Sequence, residues 1–323
     1  MGKVKRISIC TAVVVLGAFI AIKLYNSHFV SNLIAYKSNL DYLDNETNLQ
    51  KDVWVGGTDM GKIDIFYNKK DTKNLKPVVF FIHGGGWIIG DKHEYSKIGY
   101  LLMKNNYVAI LPNYILFPRG TFDDMVEDIY RSILWTYSNI EKYGGDRNKI
   151  ILIGYSSGAH LTILTVLKSY LRMKNNGIQL KRLPWFEKVI LLNGPYDFDD
   201  YDTVSNYIQG TVGKVEHGFV EQLVSFLINS EETGPTDILK SLDDNSIENF
   251  GTPEMTFFYC DADTLIHESS AVNLIKEINR VSPNTTVNYV YDQGHDFKHY
   301  TLTLGARTDD KEKEQMFLDL IKM

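Results

Sequence analysis

The sequence is poor in cysteine and carries no excess of basic residues. It has two cysteines, Cys10 and Cys260, and Cys10 lies in an apolar N-terminal run, so the pattern indicates no disulfide framework. No Cys/His cluster has the spacing of metal ligands. Lysine and arginine number 34 against 40 aspartate and glutamate residues, which gives a net charge of −6. The chain is acidic and has no cluster of basic residues, so the sequence does not indicate binding to nucleic acid.

Long apolar runs are also missing, except for one near the N-terminus. Residues 7–22 carry no charge and follow Lys3, Lys5 and Arg6. A typical bilayer needs roughly 20 apolar residues, so this run is short, but no small-residue pair after it suits a signal-peptide cleavage site. We therefore expect residues 1–25 to form a single-pass signal anchor. The N-terminus would be cytosolic and the remainder lumenal or extracellular; cleavage would instead give a secreted protein.

Internal repeats and low-complexity tracts are absent, and most of the chain alternates short apolar runs with amphipathic ones. After a linker at residues 26–50, residues 51–323 are predicted to form one α/β domain. Such alternation is typical of a mostly parallel sheet, here of eight strands, with helices on both faces. Residues 199–250 break the alternation, and we interpret them as a helical, lid-like insertion.

The apolar patterns assign the elements of this domain. Strands are predicted at residues 53–55, 62–67, 77–82, 107–111, 149–154, 188–192, 255–259 and 287–291. Helices are predicted at residues 95–105, 123–143, 157–170, 269–280 and 309–322. Because reactive groups in parallel sheets gather at the carboxyl ends of strands, the residues that follow each strand are the candidates for chemistry.

One such segment, G-Y-S-S-G at residues 154–158, fits the G-x-S-x-G pattern of a nucleophile elbow. A predicted strand precedes it and a predicted helix follows, which is the context that the pattern requires. The tight turn would expose the hydroxyl of Ser156, the candidate nucleophile, at a helix N-terminus that favours negative charge. The backbone N–H of Ser157 would supply half of an oxyanion hole. A helix-capping serine in a glycine-rich turn gives the same pattern, so further residues must support this interpretation.

A second segment, H-G-G-G-W at residues 83–87, follows the strand that ends at Ile82. This is the HGGG oxyanion motif. Its glycines let backbone N–H groups approach a substrate oxygen, and one such donor is typically worth roughly 3–4 kcal/mol. We assign the donors to Gly84 and Gly85, with Gly86 as a further candidate, and we expect His83 to brace the loop. No Gly-Lys-Ser/Thr follows, which excludes a phosphate-binding P-loop.

The acid and the base of such a site follow the serine in chain order. We predict that Asp263, after the strand at 255–259, and His295, after the strand at 287–291, complete a triad. Asp261 is a rival for the acid, and both aspartates could instead cap a turn. His299 is expected on a surface helix, and His160, one turn into the elbow helix, is expected to be a satisfied core histidine.

At these residues the sequence resembles the hormone-sensitive-lipase-like, HGGG-bearing branch of the α/β-hydrolases, from about residue 52 onward. Within that branch it is similar to plant prenylcysteine methylesterases and to kynurenine-formamidase-like esterases. The stretches that carry the similarity are G-G-W-I-I-G at 85–90, F-P-R-G-T at 117–121, D-M-V-E-D at 124–128, Y-G-G-D at 143–146, S-S-G-A-H at 156–160 and N-G-P-Y-D at 193–197. The resemblance implies an α/β-hydrolase fold and cofactor-free hydrolysis of carboxylic esters.

The sequence also departs from that branch. Tyr114-Ile115 stands where the family usually has Tyr-Arg, Ser157 replaces the commoner alanine, and residues 199–250 do not resemble the usual pattern of the family. These departures leave the chemistry intact but leave the substrate open. The aromatic residues beside the motifs are expected to line a substrate pocket, although such residues more often belong to a core. They are Trp87, Tyr155, Tyr196 and Phe198.

Three functions fit these observations. A membrane anchor suits a serine esterase that acts on a lipophilic ester, such as a prenylcysteine methyl ester. An arylformamidase acting on N-formylkynurenine would use the same triad, so the motifs do not separate the two. A catalytically inactive binding protein on this fold would typically have lost the nucleophile or the histidine, and here both are present. We therefore expect an esterase with a small-molecule ester substrate.

Overall fold

The computed structural model describes Lys37, residues 46–198 and residues 233–323. The expected anchor at residues 1–25 lies outside these residues, as do most of the expected linker and residues 199–232 of the expected insertion. No helix in the described part of the chain is long and apolar enough to cross a bilayer.

The domain is built on one eight-stranded sheet, which confirms the predicted strand number. Its strands are β1 (Leu49–Trp54), β2 (Lys62–Phe66), β3 (Lys76–Ile82), β4 (Val108–Pro112), β5 (Gly145–Tyr155), β8 (Lys188–Leu192), β9 (Glu254–Cys260) and β10 (Thr286–Asp292), while β6 (Lys174–Asn175) and β7 (Ile178–Gln179) form a separate ribbon. The spatial order is β1-β2-β4-β3-β5-β8-β9-β10. Strand β2 is antiparallel to both of its neighbours, and all pairs from β4 to β10 are parallel.

Helices cover both faces of the sheet. They are α1 (Ser96–Lys104), α2 (Phe122–Asn139), α3 (Ser157–Tyr170), α4 (Pro235–Lys240), α5 (Ser269–Val281), α6 (Thr301–Arg307) and α7 (Lys311–Lys322), with 3-10 turns at Lys92–Tyr95 and Ile140–Tyr143. Side chains of β3 alternate between two core layers because successive strand residues point to opposite faces. Phe80 packs in the layer under α2, α3 and α5, and Phe81 packs in the layer under α1, α6 and α7.

One helix differs from the expectation, and the expected insertion is described only in part. Helix α6 was not predicted, because threonines and a glycine give residues 301–307 a low helix propensity. Burial of Leu302 and Ala306 holds this helix against the second core layer. Only residues 233–250 of the expected insertion are described, and the lid role of residues 199–250 stays a prediction. Helix α4, in the described part, places Leu239 in the main core and packs against α3 and α5.

The loop after the HGGG segment is anchored by a buried ammonium. Lys92 Nζ lies 2.8 Å from Asp52 Oδ1, 2.9 Å from Asp64 Oδ1 and 3.0 Å from His93 Nε2. The backbone N–H of Lys92 also donates to Asn113 Oδ1 at 2.7 Å. Asp52, Asp64 and His93 are close enough to hold a metal ion, but the ammonium already takes the position of a cation. This ion cluster joins the HGGG loop to β1 and β2.

We expect Lys92→Met to lower the free energy of unfolding by about 3–5 kcal/mol, because it leaves the fully buried Asp64 carboxylate without its cation. The measurement is urea unfolding at pH 7. The control is Lys322→Met, whose partner Asp319 is exposed, and it should cost less than about 1 kcal/mol. Equal stability of the two variants would contradict the anchoring role of Lys92.

Candidate active site

The site lies at the carboxyl edge of the sheet, where five neighbouring strands end. The HGGG loop follows β3, Ser156 follows β5, Asn193 follows β8, Asp263 follows β9, and the segment with His295 and His299 follows β10. Because these strands are adjacent and parallel, residues far apart in sequence converge on one edge.

Ser156 occupies a strained turn between β5 and α3. Its backbone angles, φ 55° and ψ −125°, lie in a region that residues other than glycine rarely adopt. Gly154 and Gly158, two residues before and after Ser156, are required for steric reasons. A Cβ on Gly154 would lie 2.5 Å from Ala159 Cα, and one on Gly158 would lie 2.4 Å from Ile82 O. The strand and the helix can therefore cross this closely only with glycine at both positions.

The HGGG loop lies directly against the serine. A Cβ on Gly84 would be 2.9 Å from Ser156 Cβ, so the bare backbone of Gly84 faces the hydroxyl-bearing carbon. His83 is fully buried and its ring stacks on Tyr114 at 4.4 Å. Burial lowers the pKa of His83, which keeps it neutral. His83 thus braces the loop, as expected.

Three backbone N–H groups remain free to bind an anion beside Ser156. Within residues 46–198 and 233–323, the N–H groups of Gly84, Gly85 and Ser157 donate to no protein acceptor. Ser157 is the first residue of α3, where the helix dipole also favours negative charge. These are the amides that the motifs predict as oxyanion donors, and that role stays a prediction.

A continuous hydrogen-bond chain joins serine, histidine and aspartate, and the histidine is His299. His299 Nε2 lies 2.9 Å from Ser156 Oγ, and His299 Nδ1 lies 2.8 Å from Asp263 Oδ2. All three side chains are almost completely buried. The predicted pairing of Ser156 and Asp263 through one imidazole is therefore present, with a different histidine from the one predicted.

The prediction that His295 contacts Ser156 was wrong. His295 Nδ1 lies 2.6 Å from Asp292 Oδ1, and its side chain is 55% exposed. The reason is the path of the chain after β10. Residues 293–298 form an irregular loop, and Phe297 is buried in the second core layer. This anchor carries the chain inward and brings His299, four residues later than expected, over the edge of the sheet. His299 lies in a buried turn before α6, so the expectation that it lies on a surface helix was wrong.

Asp263, and not its rival Asp261, faces the imidazole. Asp263 Oδ1 accepts from the backbone N–H groups of Leu265 and Ile266 at 2.9 and 3.0 Å. Burial raises the pKa of Asp263, but the charge and hydrogen bond of His299 outweigh this and hold it below its usual range. Asp261 Oδ2 accepts from the Gly294 N–H at 3.0 Å. Asp261 therefore bonds to the loop after β10, whereas Asp263 caps its own turn through Leu265 and Ile266 and also binds the imidazole.

His160 is a satisfied core histidine, as predicted. Its Nδ1 accepts from Trp87 Nε1 at 3.1 Å, and its Nε2 lies 2.7 Å from the carbonyl of Thr233. Because the indole can only donate and the carbonyl can only accept, the proton must be on Nε2. Full burial lowers the pKa of His160 to about 4, although the Thr233 hydrogen bond opposes the shift.

The four aromatic residues expected in a substrate pocket are all buried. Trp87 and Phe198 pack against each other at 6.0 Å, and Tyr196 packs on Phe257. Tyr155 lies on the opposite face of the sheet from Trp87, and its ring is 5.4 Å from that of His299. Tyr155 therefore lies beside the histidine, and contact of any of the four with substrate stays a prediction.

The sequence matches the BD-FAE family over residues 63–278. Among curated proteins it is 37% identical over 127 residues to a probable isoprenylcysteine alpha-carbonyl methylesterase of Oryza sativa, which covers 39% of this chain and 30% of the relative. It is 36% identical over 120 residues to an isoprenylcysteine alpha-carbonyl methylesterase of Arabidopsis thaliana, which covers 37% and 28%. The matches thus span less than a third of these relatives.

Solved structures share the fold over nearly the whole chain. Esterase B from a Lactobacillus superposes with a TM-score of 0.66 at 18% identity and covers 93% of both chains. An esterase of Pyrobaculum calidifontis superposes with a TM-score of 0.63 at 17% identity, covering 95% of this chain and 97% of that one. At such identities the likeness establishes the α/β-hydrolase fold alone.

Burial of His160 predicts a specific loss of stability in acid. Its pKa falls from an ordinary value near 6.5 to about 4 on folding. The unfolded chain therefore binds the proton more tightly, and stability decreases as pH falls through 6.5 towards 4. Between pH 7 and pH 5 this one group should cost about 2 kcal/mol. We expect His160→Asn to lose that part of the pH dependence in urea unfolding.

The control for this measurement is His267→Asn, which replaces an exposed histidine. It should keep the pH dependence of the unaltered protein. If His160→Asn and His267→Asn lose stability equally between pH 7 and pH 5, His160 is not buried as a neutral imidazole.

Proposed function

The chain belongs to the BD-FAE family, and on this premise we propose that it is a serine-dependent carboxylic-ester hydrolase. The observation that carries the proposal is the hydrogen-bond chain from Ser156 through His299 to Asp263. Ser156 is the nucleophile, His299 is the general base and Asp263 orients the base. An inactive protein on this fold would have no need to keep these three side chains assembled at a strained turn.

Proton transfer begins at the serine hydroxyl. Asp263 accepts the N–H at Nδ1 of His299, so the lone pair at Nε2 points to Ser156 Oγ. As Oγ attacks the ester carbonyl, its proton passes to Nε2, and the imidazolium is stabilised by the Asp263 carboxylate. The same proton then goes to the leaving alcohol. Water, activated by His299 in turn, releases the acid from Ser156.

Negative charge develops on the carbonyl oxygen during this attack. Gly84 lies against Ser156, Ser157 follows it directly, and in the described chain the amides of Gly84, Gly85 and Ser157 have no other acceptor. As oxyanion donors, they would each stabilise the developing charge by roughly 3–4 kcal/mol. The backbone of Gly84, pressed against Ser156, is the first of these donors.

The substrate class that we propose is a lipophilic carboxylic ester such as a prenylcysteine methyl ester. The support is the likeness to proteins named as isoprenylcysteine alpha-carbonyl methylesterases. The same triad could cleave the formamide of N-formylkynurenine, but the relatives named as methylesterases favour the ester. Anchoring through the apolar run at residues 7–22 is part of this proposal, since it would hold the site near a lipid surface.

The assignment of His299 as the base is tested by substituting His299 and His295 separately. We expect Ser156→Ala and His299→Asn each to lower kcat for p-nitrophenyl acetate by at least about 10³-fold. His295→Asn alters an exposed side chain that pairs with the buried Asp292, and it should stay within about twofold because His295 is not bonded to Ser156. Thermal unfolding of each variant shows that it is folded. Loss of activity in His295→Asn, with His299→Asn active, would overturn the assignment.

The substrate class is tested by competition between matched esters. We expect kcat/KM for N-acetylfarnesylcysteine methyl ester to exceed that for N-acetylcysteine methyl ester by at least about tenfold. Burial of even two methylene groups of the prenyl chain would supply that ratio. Faster hydrolysis of N-formylkynurenine than of either ester would favour the formamidase. Equal rates for the two methyl esters would exclude recognition of the prenyl group.

A further inference from the structure

Asn193 follows β8 and lies behind the proposed triad, although no motif for catalysis contains it. It is the first residue of N-G-P-Y-D at 193–197 and is 2% exposed. Its backbone N–H donates to Phe258 O at 2.9 Å, which extends the pairing of β8 with β9 by one residue. Asn193 is therefore held at the same sheet edge as Ser156 and Asp263.

The backbone of Asn193 adopts a conformation that few side chains accept. Its φ is 48°, in the left-handed region where glycine, asparagine and aspartate are the tolerated residues. The following segment is tied down by further bonds. The Gly194 carbonyl accepts from Tyr259 Oη, and the Tyr196 N–H donates to Ser270 Oγ at 2.6 Å. The turn is thus fixed from both β9 and α5.

This turn aims the Asn193 side chain at the carboxylate behind His299. Asn193 Nδ2 donates to Asp263 Oδ2 at 2.9 Å and to Cys260 Sγ at 3.3 Å. The same Oδ2 accepts from His299 Nδ1 at 2.8 Å. Among the described residues Asp263 therefore has four donors, two on each oxygen. Two come from its own loop, and Asn193 and His299 come from the segments after β8 and β10. Together they fix the plane of the carboxylate.

We propose that Asn193 is a positioning residue of the hydrolase, which holds Asp263 Oδ2 in line with His299 Nδ1. This inference rests on the proposed function. Only asparagine meets both requirements of the position. Glycine would accept the left-handed backbone but has no donor, and aspartate would accept the backbone but would bring a second carboxylate against Asp263.

The effect of Asn193 should appear in kcat and in the pH profile. A hydrogen bond to a buried carboxylate is worth about 1.5–3 kcal/mol, which corresponds to a roughly 10- to 100-fold loss of kcat when it is removed. KM should stay within about twofold, because Asn193 is bonded to Asp263 and not to the serine. A carboxylate that loses a donor attracts the imidazolium more strongly. The acid limb of kcat/KM should then move to higher pH.

Other titratable groups around this pair bear on the profile. Those that lie near Asp263, Cys260 or His299 are Tyr155, Tyr259, Cys260, Asp261, Asp292 and His295. Burial raises the pKa of Cys260 to about 12 and raises the pKa of Tyr155 and Tyr259 well above their ordinary value, so these three stay neutral. None of these groups is altered in the variants below.

The experiment compares Asn193→Gly with Asn193→Asp in the full chain. The glycine variant keeps the backbone conformation and removes the donor. The aspartate variant keeps the shape and replaces the donor by an acceptor. Steady-state hydrolysis of p-nitrophenyl acetate between pH 5 and pH 9 is normalised to active sites titrated with a fluorophosphonate. We expect kcat to fall by at least about tenfold in both variants. The midpoint of the acid limb of kcat/KM should move to higher pH, by roughly half a pH unit in Asn193→Gly and by more in Asn193→Asp.

The control is Asn106→Gly, which removes an exposed asparagine with a φ of 67° and should match the unaltered protein in rate and pH profile. The proposal is overturned if both Asn193 variants keep the normal kcat and acid limb. It is also overturned if they lose stability but keep the normal rate for each titrated site. An unaltered protein that neither hydrolyses the ester nor reacts with the fluorophosphonate would instead show that the proposed function fails.

Discussion

The crossing of β5 over α3 is the constraint on which the site depends. It forces Ser156 into a strained backbone conformation that costs about 1–3 kcal/mol. The surrounding core offsets this cost, because nearly every side chain of α3 and the last six residues of β5 are buried. The same crossing presses the Gly84 backbone against the serine. Nucleophile and oxyanion loop are thus positioned by packing of the core rather than by flexible side chains.

Local sequence patterns were sufficient for the sheet and for half of the site. Helix α3 and strand β8 begin and end at the residues predicted, because each has a single apolar pattern bounded by clear breaks. The turn at Ser156 and the glycines of the HGGG loop were predictable for a related reason. At each of them two backbone segments approach so closely that only glycine fits. Such requirements are visible in a short stretch of sequence.

The histidine was not predictable, because its position depends on a contact far from it in sequence. Nothing in G-H-D-F-K-H at residues 294–299 distinguishes the two histidines locally. The choice is made by Phe297, which is buried in the second core layer, where Lys313 of α7 lies over its ring at 5.2 Å, and which turns the chain inward. One sequence feature pointed to this path: Phe297 is the one aromatic residue among polar neighbours, which favours its burial. Asn193 was missed for the same reason, since its partner Asp263 lies on another strand.

Comparison of the histidines explains why one of them suits base catalysis. His295 is bonded to the carboxylate of Asp292, and His267 Nδ1 lies 2.9 Å from the Ser269 hydroxyl. Among the described residues, only His299 is bonded to a hydroxyl and a carboxylate together. A histidine bonded only to a hydroxyl can accept the proton, but no carboxylate stabilises the imidazolium that forms. A histidine bonded only to a carboxylate has that stabilisation but no nucleophile to deprotonate. Proton transfer from Ser156 needs both, because the imidazolium must be stabilised as it forms.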